Sequence, residues 1–265
     1  MQWEQLTAPD FAAAVRETGV CVIAMGVVER HSEHLPLGTD YLIRHATACR
    51  AAEKEPSVVF PPFYFGQIYE ARCFPGTVAI KPTLLIELIQ SVFDEIGRNG
   101  FKKIVVYNAH GGNNQLLAFL AQCSLWEEKP YSLYIPMERM TPEGQAEWEA
   151  MRDTSFGGHA CELETSAVLG VHPHLVKMER VPDDPAMPLK RMQDLPPTYN
   201  GIWWYSDYPE HYAGDARTAS EEKGQALLRL SSDYLAQYIA AVKKDQIVPT
   251  LTREFFRRAE ELGQT

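Results

Sequence analysis

The runs CVIAMGVV (residues 21–28) and KIVVYNA (103–109) constrain this chain more than any other feature. Both are almost continuous in apolar residues, whereas a strand with one wet face alternates apolar and polar side chains. Strands of this kind belong inside a sheet covered on both faces. Two further β-branched runs, SVVFPPF (57–63) and SLYIPM (132–137), complete a set of four. The stretches between carry helical spacing. Residues 40–54 follow Thr39 or Asp40 as a cap, KPTLLIELIQSVFDEIGRNG (81–100) runs from a proline to a glycine, and 113–128 begins at Asn113 or Asn114. Strands alternating with helices imply βαβ crossovers, so the expected class is α/β, with a mainly parallel central sheet between helical layers.

Beyond residue 137 the pattern becomes helix-rich, at 142–152, 162–170, 220–243 and 252–262. Residues 181–218, dense in Pro, Asp and aromatic side chains, read as a long ordered excursion. No linker composition divides the chain, and 265 residues at 45% hydrophobic content suffice for one large core, so a single domain over 1–265 is expected. The net charge of −10 comes from scattered acids with no basic patch, which argues against nucleic-acid partners. No run reaches membrane-spanning length, and MQWEQLTAPDFAAAVRETG (1–19) has no basic stretch followed by the apolar run expected of an export signal. Five cysteines (Cys21, Cys49, Cys73, Cys123, Cys161), an odd number without a CxxC pair, suit a reducing cytoplasm.

The chemistry sits where the layout directs it. Sites in open parallel sheets form beyond the carboxyl ends of the strands. Glu29 and His31, in GVVERHSEHLPLGTD (26–40), follow the first strand, and His110, in NAHGGNN, follows the third. Asp40 returns after the turn LPLGT at the start of a helix, and GGHACELETS (157–166) adds His159, Glu162 and Glu164. Carboxylates and imidazoles in this mixture are the ligand set of zinc or manganese. A lone histidine after a strand is more often a hydrogen-bonded structural residue than a ligand; three clusters, two of them at strand ends, favour a metal site. The chain has no Gly-x-Ser-x-Gly, no phosphate-binding glycine loop and no His-Glu-x-x-His, so serine hydrolase, kinase and zincin chemistry fall away.

These pieces resemble the creatininase (creatinine amidohydrolase) family: ERHSEHLPLGTD, FPGT (74–77), NAHGGN (108–113), HACELETS (159–166) and GDARTASEEKG (214–224). The resemblance covers residues 20 to about 225 and implies a three-layer α/β/α hydrolase with two divalent ions, Zn2+ or Mn2+, with Fe2+ also admitted. Carried over residue by residue, it implies that Asp40 bridges the ions, that Glu29 and His110 complete one site, and that His31 contributes to the other. Creatininase proper takes its last ligand from a glutamate two residues after the position of His110, where this chain has Gly112. Members with His-Gly-Gly-Asn draw that ligand from the third motif, which assigns Glu162 to the second ion. Glu164 then orients a ligand or His159, or is the ligand itself. His159 matches the family's catalytic histidine, a proton shuttle to the leaving nitrogen.

Other residues carry two readings each. His34 lines the pocket or is structural; Arg30, Ser32 and Glu33, which depart from the commoner Gln, Gly and Pro, alter the pocket mouth or sit in solvent. GIWWYSDYPEHY (201–212) is a substrate-facing flap or an aromatic cluster on the sheet edge. Cys161 reads as a buried small residue, and His172 and His174 as a loop end. Creatinine-specific members place a tryptophan shortly before the catalytic histidine, where this chain has Ser155 and Phe156. The resemblance therefore implies a relative other than creatininase proper, hydrolysing a C–N bond (cyclic amide or formamide) of a small polar metabolite. The alternatives are C–C ring opening of a keto-inositol, of the 3-dehydro-scyllo-inosose type, and a non-catalytic, metal-stabilised binding protein. It also implies a homo-oligomer, a hexamer built as a trimer of dimers.

Overall fold

The computed structural model describes residues 1–262. In chain order, the elements are α1 (Ala8–Thr18), β1 (Val20–Met25), α2 (Thr39–Lys54), β2 (Val58–Val59), α3 (Pro82–Arg98), β3 (Lys103–Asn108), α4 (Asn113–Cys123) and β4 (Ser132–Tyr134). They continue with α5 (Pro142–Met151), β5 (Gly157–His159), α6 (Glu162–Val171), α7 (Trp203–Asp207), β6 (Ala213–Gly214), α8 (Glu221–Lys244) and α9 (Ile247–Leu262), with short 3-10 turns between them.

All four expected strands pair in parallel, in the order β2-β1-β3-β4. The β1–β3 register runs from Val20 opposite Lys103 to Met25 opposite Asn108, which brings the carboxyl ends of both strands level. Alternate β1 residues serve opposite layers. Cys21, Ile23 and Met25 pack with α1, α3 and α4, while Val20, Val22 and Ala24 pack with α2 and α8. Double-sided burial is thus why the run lacks polar alternation. Each fully buried side chain of the size of Ile23 contributes roughly 1.5–3 kcal/mol, and truncating it to alanine costs about 2–5 kcal/mol once the cavity is included.

Polar contacts fix the helix ends. Thr7 caps α1 through Asp10 N, and Ser220 caps α8 through Lys223 N. At the other end of α8, the buried Lys103 of β3 donates from Nζ to the carbonyls of Val242 (2.7 Å), Lys243 (2.9 Å) and Asp245 (2.6 Å). A cation there satisfies carbonyls that the helix leaves unpaired and suits the negative end of its dipole. Among the described residues no helix is long and apolar enough to cross a membrane.

Two differences from the sequence expectation have visible causes. α4 stops at Cys123 instead of 128, where the Ser124 hydroxyl donates to Ala121 O (2.7 Å) and competes for a last-turn carbonyl. α9 begins at Ile247, five residues early, because Asp245 accepts from Ile247 N (2.9 Å) and Val248 N (3.2 Å). The 181–218 excursion is largely irregular, but it contributes α7 and ends in β6, which pairs antiparallel with β5.

Candidate metal centre

The backbone leaving β1 carries Glu29 and His31, the first turn of α2 carries Asp40, and the loop between β3 and α4 carries His110. All four side chains are buried. His110 Nδ1 lies 2.9 Å from Glu29 Oε1 and 3.2 Å from Asp40 Oδ2, and His31 Nε2 lies 3.5 Å from Asp40 Oδ1. Despite these approaches, Glu29 Oε1, Asp40 Oδ2 and His31 Nε2 make no hydrogen bond of acceptable geometry. Buried polar atoms that converge without pairing are costly unless something else satisfies them. A cation does, and the donor set is the one zinc and manganese accept.

Among the described residues, three groups of donor atoms fall within 4.8 Å of one another: Glu29, Asp40 and His110; His31, Asp40 and Glu164; and Glu29, His31 and His159. Asp40 belongs to two of them, one oxygen toward each imidazole, which is the geometry of a bridging carboxylate. The electrostatics agree. Burial favours the neutral acid, yet His110, with His159 and His211, holds Glu29 well below the usual carboxylate range; His110 and His31 do the same for Asp40. Burial would lower the imidazole of His31, but Asp40, Glu29 and Glu164 lift it to about 9. Glu29 and Asp40 likewise outweigh burial at His110 and push it up. The cluster demands positive charge.

Glu162, expected at the second ion, lies elsewhere. Its carboxylate accepts from Asp153 N (3.0 Å), Thr154 N (2.9 Å), Thr154 Oγ1 (2.6 Å) and Lys223 Nζ (2.5 Å). It is the anchor of an ion-pair network, and none of the three donor groups contains it. The carboxylate that faces His31 is that of Glu164, whose Oε2 lies 3.9 Å from His31 Nε2 and accepts from Ala160 N at 2.6 Å. Gly112 explains why a carboxylate cannot come from the loop: a Cβ there would run into the Gln67 side chain and lie 2.6 Å from His110 Nε2.

His159 ends β5, and its ring stacks on His31 at 4.1 Å. Nε2 donates to Arg30 O at 2.8 Å, leaving Nδ1 free, 4.0 Å from Glu164 Oε2. Burial, then the neighbouring His31, pushes its pKa down. His34 does not line the pocket; its Nε2 meets Thr165 Oγ1 at 2.8 Å in a buried structural contact. Arg30 pairs with Glu33 (2.5 Å) and Glu210 (3.4 Å) and covers Phe74, tying the first loop to the excursion. Glu33 itself is exposed, Cys161 is buried, and His172 and His174 lie at the end of α6, outside the donor groups.

Two residues that the sequence did not single out also belong here. His211, in the YPEHY stretch, places Nε2 2.6 Å from Glu29 Oε2. Glu70, just before FPGT, places Oε1 3.9 Å from His110 Nε2. The centre opens into a cavity of about 530 Å³, walled by Gln67, Tyr69, Gln115, Arg139, Tyr199 and Trp203 among others. Arg139 is the one lysine or arginine on that wall among the described residues. Among the described residues, three of the four non-glycine residues with left-handed backbone are Ser32 (φ 55°), Ala160 (φ 53°) and His211 (φ 53°). Each costs roughly 1–3 kcal/mol, and each directly follows or is a side chain of the centre.

The geometry can be set beside known proteins. The chain is 26% identical over 277 residues to a creatinine amidohydrolase of Pseudomonas putida, covering 93% of this chain and 97% of that protein. It is 30% identical over 158 residues to a mycofactocin precursor peptide peptidase of Mycolicibacterium smegmatis, covering 57% and 58%. It is 24% identical over 261 residues to a 3-dehydro-scyllo-inosose hydrolase of Thermotoga maritima, covering 89% and 82%. A solved structure described as "Creatininase Mn" superposes with a TM-score of 0.76 at 23% identity, covering 92% of this chain and 99% of that one, and shares its fold. The creatininase family, described as creatinine amidohydrolase, matches residues 4–239, a span that contains the parallel sheet, every donor of the three groups and the helix bearing Glu164. The chain belongs to the creatininase family.

Proposed function

We propose that this protein is a two-metal hydrolase that attacks the carbonyl of a small polar amide. Glu29, Asp40 and His110 hold one ion, and His31, Asp40 and Glu164 hold the other. The observation that carries this reading is the convergence of those donors around a shared Asp40, with Glu29 Oε1, Asp40 Oδ2 and His31 Nε2 buried and unpaired. Zn2+ or Mn2+ there would acidify a water and polarise the scissile carbonyl, chemistry that the side chains alone do not supply.

The chain's own residues supply the rest. Asp40 turns one oxygen toward His31 and the other toward His110, so it would serve both ions. His31 uses Nδ1 on Glu29 O (3.3 Å), which leaves Nε2 directed inward. His159, anchored through Nε2, keeps Nδ1 free to take a proton from the attacking water and pass it to the leaving nitrogen. The aromatic wall at Trp203 and Trp204 limits solvent access, and the amides of Gln67 and Gln115 suit a polar substrate. The similarity to the Thermotoga maritima hydrolase supports a second reading, hydrolytic C–C opening of a keto-cyclitol on the same centre.

Metal analysis of protein purified without chelator should return up to two divalent ions per chain. Asp40→Ala should lose both, because one carboxylate serves both groups, and full metal content in that variant would sink the assignment. Turnover against cyclic amides, formamides and keto-cyclitols then separates the C–N from the C–C reading.

A further inference from the structure

The excursion before β6 is tied to the metal centre by a hydrogen-bonded chain of three side chains. Trp204, on α7, donates from Nε1 to His211 Nδ1 at 3.2 Å, and His211 Nε2 meets Glu29 Oε2 at 2.6 Å. An indole N–H is a donor only, so it selects the tautomer. His211 Nδ1 must accept, Nε2 must carry the hydrogen, and that hydrogen goes to Glu29. Oε2 of Glu29 is thereby taken, which leaves Oε1 as the oxygen turned toward His110 and the unpaired donors.

We infer that His211 is a positioning residue that holds Glu29 to a single metal-facing oxygen, and that Trp204 sets the tautomer which lets it do so. The inference rests on Glu29 being a metal ligand, as proposed above. Three features show that His211 is placed for this contact. It is 2% exposed, its backbone is held at φ 53°, and its carbonyl accepts from Ser32 N at 3.3 Å, which locks it to the loop bearing His31. The β5–β6 pairing, with His159 opposite Ala213, fixes the chain two residues away. Trp204 also stands in the cavity wall, 5.9 Å ring to ring from His159. A residue that touches the cavity is thus one hydrogen bond removed from the partner of a ligand. Loss of such a hydrogen-bonded partner typically lowers metal affinity about 10- to 100-fold.

The test measures Zn2+ affinity by competition with a chromophoric chelator, with circular dichroism as the folding control. His211→Leu should weaken one of the two ions about 10- to 100-fold and leave the other within a few-fold of wild type. His211→Gln, whose amide can still donate to Glu29, should recover most of that loss. Trp204→Phe should give an intermediate loss. As a second readout, the shift of the Trp204 indole N–H resonance on adding Zn2+ should be smaller in His211→Leu than in wild type. A folded His211→Leu that binds both ions as tightly as wild type overturns the inference and leaves the metal centre standing. So does His211→Gln behaving no better than His211→Leu, since that result assigns the ring a space-filling role. Wild type that binds no Zn2+ overturns the metal centre, and the inference with it.

Discussion

A helix turns about 100° per residue, so side chains two apart leave it in nearly opposite directions. That is why Glu162 and Glu164 cannot both face the centre from the first turn of α6. Lys223, Thr154 and Asp153 claim the first, and the unpaired nitrogen of His31 faces the second. Glu164→Gln should weaken one ion and spare the other, because a neutral amide is a poorer ligand. Glu162→Gln should keep both ions and lower unfolding stability by about 1–3 kcal/mol, the usual cost of leaving a buried partner unsatisfied. Retained binding in Glu164→Gln together with ion loss in Glu162→Gln would reverse the assignment. His159→Asn should keep both ions and reduce the rate about 100- to 10,000-fold; an ion count below wild type would make His159 a ligand, as its place beside Glu29 and His31 permits. At this scale, Glu29, His31, Asp40 and His110 were legible because strand ends and a helix start fix where they point. His211 and Glu70 were not, since they reach the centre from irregular chain whose path no periodicity encodes.

Among the elements, the parallel sheet was legible because burial on both faces erases alternation, a signal that survives in sequence. Helix ends were less so: Asp245 and Ser124 move the boundaries of α9 and α4 through local side-chain bonds that compete with periodicity. The pairing of β5 with β6 joins segments more than fifty residues apart and left no pattern to read. The contact between α6 and α8 is of the same kind. A Cβ on Gly224 would press into Ser166 O and come within 2.7 Å of Gly170 N, so the two helix backbones touch where Glu164's helix is seated. Backbone cannot yield as a flexible side chain does, and overpacking typically costs about 1–3 kcal/mol, occasionally more. Gly224→Ala should therefore lower the melting temperature and also weaken one ion, by displacing α6. Gly201→Ala, where a Cβ meets nothing within 4 Å, is the matched control. Equal melting and equal ion affinity in the two variants would remove the helix contact as the device that seats Glu164.

On the scale of the whole molecule, the centre joins parts of the chain that local packing leaves separate: the ends of β1 and β3, the start of α2, the turn into α6 and the excursion before β6. Glu29, Asp40 and Glu164 crowd their carboxylates around His31 and His110, a buried arrangement whose charge is balanced best by bound cations. Ions that bind only the folded chain stabilise it by mass action, by about 2.7 kcal/mol for each site held at a hundredfold excess over its dissociation constant. For a chain of this size that corresponds to roughly 5–10 °C in melting temperature for each site, and so to roughly 10–20 °C for the two together. Thermal unfolding with and without a chelator should show a drop of that order in the wild type. Restoring Zn2+ or Mn2+ should reverse it. Asp40→Ala should melt at one temperature in both conditions, since it holds neither ion, whereas Glu164→Gln should retain about half of the shift. A wild type indifferent to chelation, with metal verified as removed, would mean that the ions contribute nothing to the fold and that the crowded acids are balanced by protons on His31 and His110 alone.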